Sequence, residues 1–212
     1  MIMADLVTRP ARRDDAAQLA ELHRDAFPDF FLSSLGTSFL RQFYLGFVDD
    51  DSAVSTVAID SSGGIVGSVV GTTEPAGFFS RLMKNRLLQF GLLSAKEGLK
   101  RPQIIPRLLR AVTYRGEAGG SPADGALLSS ICVRQDQQGK GTGSLMMRSW
   151  TAAAARAGAM RAYLTTDADD NDSVNAFYQG LGWALDSTYT TPEGRRMNLY
   201  VRALNDLKEN QG

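Results

Sequence analysis

Between residues 126 and 157 the chain passes from a near-continuous apolar stretch, through a polar turn with glycines at 139, 141 and 143, into a helical pattern closed by Gly158. An apolar run of that kind needs cover on both faces, which is how a strand inside a layered α/β sheet reads. The turn adds a second constraint. Glycine lets the backbone bend sharply and come close to another group, and the first amides of the helix that follows have no partner within it, so residues 133–144 have the make-up of a phosphate cradle. On spacing alone the stretch reads equally well as a strand-to-helix turn that is merely glycine-rich. Two better-known phosphate loops are excluded. No glycine stands five residues before Gly139 and Lys140 is followed by Gly141 rather than Ser or Thr; Ser144 stands three residues after Gly141, where a dinucleotide fingerprint has glycine or alanine.

The remaining pattern supplies the rest of a sheet. It predicts a strand at 6–9, a helix over 16–27 capped by Asp14, an aromatic loop at 28–36 containing Phe30 and Phe31, and a helix at 37–47. Strands at 55–60 and 65–73 flank Ser61-Ser62-Gly63-Gly64, a hairpin signature. Residues 75–115 carry no strand pattern, and two apolar-basic stretches, 78–93 and 104–112, fit amphipathic helices separated by Pro102 and Pro106. After a loop at 116–125 come a strand (126–133), a helix (142–157), a strand (160–166), a helix (173–181) and a strand pair, 183–190 with 196–201. Crossovers and hairpins together predict a mixed sheet in an α/β or α+β domain, and 212 residues suit one domain, 1–212, with 75–124 as a helical, basic insertion between the third and fourth strands.

Composition removes several classes. Lys plus Arg and Asp plus Glu both number 23, so net charge gives no reason to expect nucleic acid as a partner. Cys132 is the only cysteine and His23 the only histidine, which excludes intramolecular disulfides, histidine triads and two-histidine metal sites. No metal is expected. His23, beside Arg24 and Asp25, reads as a residue on a solvated helix face, and Cys132 as a small core residue. The first residues lack the order of a signal peptide and no apolar run spans a bilayer, so the expected location is cytoplasmic.

A second motif runs from Asn171 to Trp183. Val174, Phe177, Tyr178 and Leu181 fall at i, i+3, i+4 and i+7, which turns the phenol toward an apolar interior. Alone, it reads as a core tyrosine.

Together the two segments resemble the GNAT superfamily of CoA-dependent N-acetyltransferases. Gln138, Gly141 and Gly143 look like its pyrophosphate loop, and Asn171 followed by Phe177-Tyr178, Leu181, Gly182 and Trp183 resembles its asparagine and catalytic-tyrosine helix. Trp183 stands where Phe is commoner, and Gln135 where Pro is frequent. The resemblance implies a mostly antiparallel, twisted central sheet flanked by helices, with acetyl-CoA as cosubstrate. It implies that Gln138, Gly139, Lys140, Gly141, Thr142, Gly143 and Ser144 hold the pyrophosphate, that main-chain groups of Ile131 and Val133 pair with the pantetheine arm, and that Asn171 bonds it as well. Arg134 would add charge, and Tyr178 would protonate the departing thiolate. Glu74, Asp124 and Asp167 are the carboxylates available as general base, with none singled out.

The neutral total conceals a division. Nine basic residues between 75 and 115 face Glu97 alone, so this segment carries +8 while the rest, with 14 basic and 22 acidic residues, carries −8. A solvated lid, steering of an anionic acceptor and a membrane contact are its readings, in that order, with a homodimer contact as a further one. The implied activity is acetyl transfer to a primary amine of a small, anionic acceptor such as a nucleotide-linked amino sugar, with the Phe30-Phe31 loop stacking on a sugar or base. The alternatives are a peptide or protein N-acetyltransferase and a non-catalytic acyl-CoA sensor.

Overall fold

The computed structural model describes residues 6–28, 30, 32–85 and 125–205. In chain order they form β1 (Val7–Pro10), α1 (Ala16–Ala26), α2 (Thr37–Val48), β2 (Ala53–Ile59), β3 (Ile65–Thr72), α3 (Pro75–Asn85), β4 (Gly125–Val133), α4 (Thr142–Arg156), β5 (Arg161–Asp167), α5 (Asp172–Gly180), β6 (Ala184–Thr190) and β7 (Arg196–Ala203). The strands make one mixed sheet in the order β1-β2-β3-β4-β5-β7-β6, antiparallel except at β4–β5.

Both faces of the sheet are covered, as the apolar β4 requires. On one face α1, α2 and α3 pack on Val57, Ile65, Val70, Leu127, Cys132, Tyr163 and Leu199. On the other, α4 and α5 cover Val54, Val66, Val69, Ala126, Leu128, Leu164 and Tyr200. Trp150 of α4 is fully buried there and donates its indole N–H to Val54 O at 2.9 Å.

Between β3 and β4 the predicted helical insertion begins as α3, which contains a kink where Gly77 takes φ +77°. Residues 86–124, and with them most of the basic segment, its second predicted helix and Asp124, lie outside the described residues, as does Phe31.

The feature that positions the site is a parting of two strands. β4 and β5 pair only at Gly125–Leu127 against Arg161–Tyr163, while β5 stays on β7 as far as Asp167. The departure follows a β-bulge: Gly71 lies opposite Leu128 and Val70 opposite Ser130, which leaves Ser129 as the extra residue. A bulge bends its strand and increases the local twist, here carrying β4 away from β5. From Leu128 to Val133, about 17 Å of strand, the β5-side edge of β4 has no strand partner among the described residues.

Gly71 makes that close passage feasible. A Cβ there would fall on the Leu127 carbonyl oxygen and on the Trp150 indole, one backbone and the other buried and hydrogen-bonded. Gly71→Ala is expected to cost about 2–3 kcal/mol, lowering the melting temperature by roughly 4–12 °C in a thermal denaturation scan.

Candidate active site

The turn after β4 starts with Arg134, whose N–H donates to Val66 O at 2.8 Å, and continues through a short 3-10 turn at Gln135–Gln137. Gly139 and Gly141 then take φ +70° and +87°, in the left-handed region that glycine enters without strain. Gly141 is the N-cap of α4, and the first amide to reach back along the helix is that of Leu145, bonded to Gly141 O at 3.0 Å. The amides of Thr142, Gly143 and Ser144 are therefore spare donors at a positive helix end. Lys140 is exposed beside them. Arg134 is committed elsewhere: its guanidinium bonds Asp136 at 2.6 and 3.0 Å and reaches Asp60 at 3.4 Å, so it brings little net charge to the cradle.

The parted strand supplies the second component. In an antiparallel pair a residue's N–H and C=O point to the same side and alternate along the strand. Since Arg134 N–H points to β3, Ile131 and Val133 direct their main-chain groups to the open edge. Val133 O accepts a bond there from Gln138 Nε2 at 3.3 Å. Ser129 Oγ, at the bulge, is buried without a hydrogen-bond partner among the described residues. An open strand edge that ends in an anion cradle suits a ligand with amide groups along an arm and phosphates at its end.

Helix α5 forms the far wall. Asn171 is its N-cap residue and donates from Nδ2 to Thr166 Oγ1 at 2.8 Å and to Asp167 O at 3.1 Å, which fixes the helix to the end of β5 and leaves Oδ1 as the free end of the amide. Tyr178 is buried, and its ring lies 5.3 Å from Phe177, 6.3 Å from Trp183 and 5.9 Å from Tyr200. Its hydroxyl makes no hydrogen bond among the described residues. Burial pushes its pKa up to about 12, with the Cys132 thiol adding to the effect. Cys132 belongs to the cluster on the opposite face of the sheet. The predicted apolar stripe is only partly realised, because Val174 is 36 % exposed. Asn175 faces the sheet instead, accepting on Oδ1 from Asn198 and from the Tyr200 hydroxyl, each at 3.0 Å.

Residues 16–183 match the family model described as the Acetyltransferase (GNAT) family. The chain belongs to the GNAT acetyltransferases. Members of that family are acyltransferases that generally use acetyl-CoA. No curated protein sequence matches the chain. Among solved structures, SsHAT superposes with a TM-score of 0.68 at 21% identity, over 94% of this chain and 98% of that one. The spermidine/spermine N-acetyltransferase SpeG from Vibrio cholerae, in mutant form, gives 0.59 at 11% identity over 98% of both chains. Aminoglycoside 6'-acetyltransferase type Ii gives 0.60 at 14%, over 93% and 97%. At these identities the likeness is one of fold.

Two of the carboxylates that a GNAT enzyme of this sequence offers as a base are engaged. Glu74 lies 3.5 Å from Arg81, which also bonds Asp50, and Asp167 holds Arg195 through both oxygens at 2.7 Å. The reading of His23 as a solvated residue is wrong. It is 2 % exposed, with Nδ1 2.9 Å from the Tyr44 hydroxyl, because α1 turns residues 16, 19, 20 and 23 together onto the sheet. The i, i+3, i+4, i+7 spacing of those four positions was the available signal, and the adjacent Arg24 and Asp25 obscured it. Among the described residues no group of three or more His, Cys, Asp or Glu side chains could hold a metal ion, and no helix is long and apolar enough to cross a membrane.

Proposed function

We propose that this GNAT enzyme transfers the acetyl group of acetyl-CoA to the primary amine of a small anionic acceptor, with nucleotide-linked amino sugars as the leading chemistry. The observation that carries the donor half is the unpaired edge of β4 running into the α4 cradle. Amides across Gln138, Gly139, Lys140, Gly141, Thr142, Gly143 and Ser144 hold the pyrophosphate, with the Lys140 ammonium adding charge. Ile131 and Val133 pair with the pantetheine arm as an added strand would, displacing the Gln138 side chain from Val133 O, and the Val133 amide serves as oxyanion donor. Asn171 Oδ1 accepts from the same arm. Bound acetyl-CoA supplies an activated acyl carbon with thiolate as leaving group, and Tyr178 donates its hydroxyl proton to that sulfur.

The acceptor half rests on charge. The +8 of residues 75–115 is concentrated in the stretch of sequence between β3 and β4, and a positive potential carried by that stretch favours an anionic acceptor. Arg81 is excluded from this task by its bonds to Asp50 and Glu74.

The test is CoA release, with product mass, from acetyl-CoA and a panel containing a UDP-linked amino sugar, an amino-sugar phosphate, spermidine, an aminoglycoside and an acidic N-terminal peptide. The expected result is turnover with the first two and a KM for them that rises several-fold as salt is raised toward 0.5 M, because screening removes the attraction. Preference for spermidine or the aminoglycoside, with KM falling as salt rises, refutes the anionic acceptor. Preference for the peptide identifies a peptide acetyltransferase.

A further inference from the structure

Helix α5 bears Tyr178 and is capped by Asn171, yet little apolar surface holds it in place. It is nine residues long, and among the described residues Tyr178 is its one buried side chain. Phe177 and Leu181 are partly buried beside it, so the apolar contacts gather at the C-terminal end of the helix. At the other end Asp172, Ser173, Val174 and Ala176 are all exposed. A helix this short depends on packing rather than on its own backbone bonds, and packing at one end leaves the roll of the other end to be set by something else.

Asn175 supplies what the apolar contacts do not. Its Nδ2 donates to Asp167 O at 3.0 Å and to Asn171 O at 2.9 Å, while Oδ1 accepts from Asn198 Nδ2 and from the Tyr200 hydroxyl, each at 3.0 Å. The amide thereby uses both of its donor hydrogens and both oxygen lone pairs. Its partners belong to the end of β5, the cap of α5 and the middle of β7, so one side chain ties the helix to two strands. Asn198 and Tyr200 are buried, and Thr188 Oγ1 on β6 donates to Asn198 Oδ1 at 2.7 Å, which leaves Asn198 Nδ2 to face Asn175. Asp167 O also receives the Asn171 amide, at 3.1 Å, so both asparagines hang from one carbonyl. Asn175 stands four residues after Asn171 and three before Tyr178, about one turn from each and on the same side of the helix.

We propose that Asn175 is a positioning residue for acyl transfer. It acts through its two neighbours, setting where Asn171 offers Oδ1 to the donor arm and where Tyr178 offers its hydroxyl to the thioester sulfur. The inference rests on the donor half of the function proposed above and adds to it a residue that touches neither CoA nor amine. Without the four bonds the helix pivots on its last turn, and Asn171, at the far end, moves most. Misplacement of a reacting group by about 1 Å can cost about 10²-fold in rate, so both tasks of the helix depend on this amide.

Two variants test this, each assayed well below its own melting temperature. Asn175→Leu keeps the bulk and removes all four bonds, whereas Tyr200→Phe removes one donor to Oδ1 and keeps the ring. Asn175→Leu should raise the Kd for CoA about tenfold by calorimetry and lower kcat about 10- to 100-fold at saturating acetyl-CoA, with whichever of the five amines above turns over fastest. Tyr200→Phe should change each about threefold in the same direction. Partial unfolding would lower the active fraction, and with it kcat, without changing the Kd of the folded remainder, so a change in both marks positioning. The deciding result is non-additivity. In a Tyr178→Phe background Asn175→Leu should lower kcat by no more than about threefold further, and in an Asn171→Ala background it should raise the Kd by no more than about twofold. Full penalties in those backgrounds, or unchanged kcat and Kd in Asn175→Leu alone, overturn the proposal and leave acyl transfer standing. Where Asn175→Leu does not fold, Tyr200→Phe carries the same comparison. The unliganded protein gives an independent measure, because both hydrogens of the Asn171 amide are bonded and a 15N-asparagine label reports their exchange with solvent. Asn175→Leu should speed that exchange about tenfold or more, and an unchanged rate overturns the proposal. An unaltered protein that neither binds CoA nor releases it with any of the five amines counts against the donor reading, and the exchange rate then decides whether Asn175 holds Asn171.

Discussion

Tyr178→Phe is expected to lower turnover by roughly 10²- to 10⁴-fold, the range for loss of a positioned general acid, and to leave the Kd for CoA within about twofold of the unaltered enzyme. The substitution removes one oxygen and little else. The ring contacts with Phe177, Trp183 and Tyr200 persist, and no hydrogen-bond partner among the described residues is stranded, so the helix should hold its place. The high pKa adds a second expectation. A phenol at its ordinary value of about 10 would begin to lose its proton in mildly alkaline solution, whereas one pushed up to about 12 keeps it. In the proposed role Tyr178 therefore keeps its proton throughout the neutral and mildly alkaline range, and the alkaline side of the kcat profile should show no fall attributable to it below about pH 11. Steady-state kinetics at saturating acetyl-CoA, with CoA affinity from calorimetry, measure both. Unchanged turnover removes the residue from the chemistry.

Gly143→Val is expected to damage donor binding and turnover together. A Cβ at residue 143 would sit 3.3 Å from Phe177 Cζ, 3.4 Å from its Cε2 and 3.9 Å from Val133 Cγ2. Alanine already requires the ring to yield by a few tenths of an ångström, and the valine methyls require more. Overpacking of this kind costs about 1–3 kcal/mol, or roughly 5- to 150-fold in an equilibrium. The force falls on two parts of the site, because Gly143 belongs to the cradle of α4 while Phe177 precedes Tyr178 on α5. We expect the Kd for CoA to rise and kcat to fall by at least about tenfold each. Phe177→Leu added to Gly143→Ala should recover most of the loss, since the contact is with the ring edge. Loss of CoA binding with normal kcat would show that the two helices move independently.

These expectations were legible in the sequence to different degrees. The strand, turn and helix from 125 to 156 were visible because glycine placement and apolar periodicity are local properties, and β4 and α4 fall within a residue of where they were expected. The parting of β4 from β5 was not visible. It depends on the register between β3 and β4 and on the absence of a side chain at Gly71, both fixed by residues more than fifty positions apart. On α5 the apolar spacing suggested that Val174 faces inward. The polar network of Asn175, Asn198 and Tyr200 determines the rotation of the helix instead, a choice made by a strand that comes later in the chain. His23 shows the converse, a titratable residue whose apolar helix face outweighed its charged neighbours.

Among the described residues, the three residue pairs at Gly125–Leu127 are the whole of the strand contact between a four-stranded ribbon, β1 to β4, and a three-stranded one, β5, β7 and β6. The two ribbons are otherwise held across this seam by helices and side chains. In the proposed function the donor arm lies along the open part of the seam, and its amides occupy the places that a missing strand would take. Acetyl-CoA would then serve the enzyme twice, as the source of the acyl group and as a removable structural member that couples the two halves only while there is chemistry to perform.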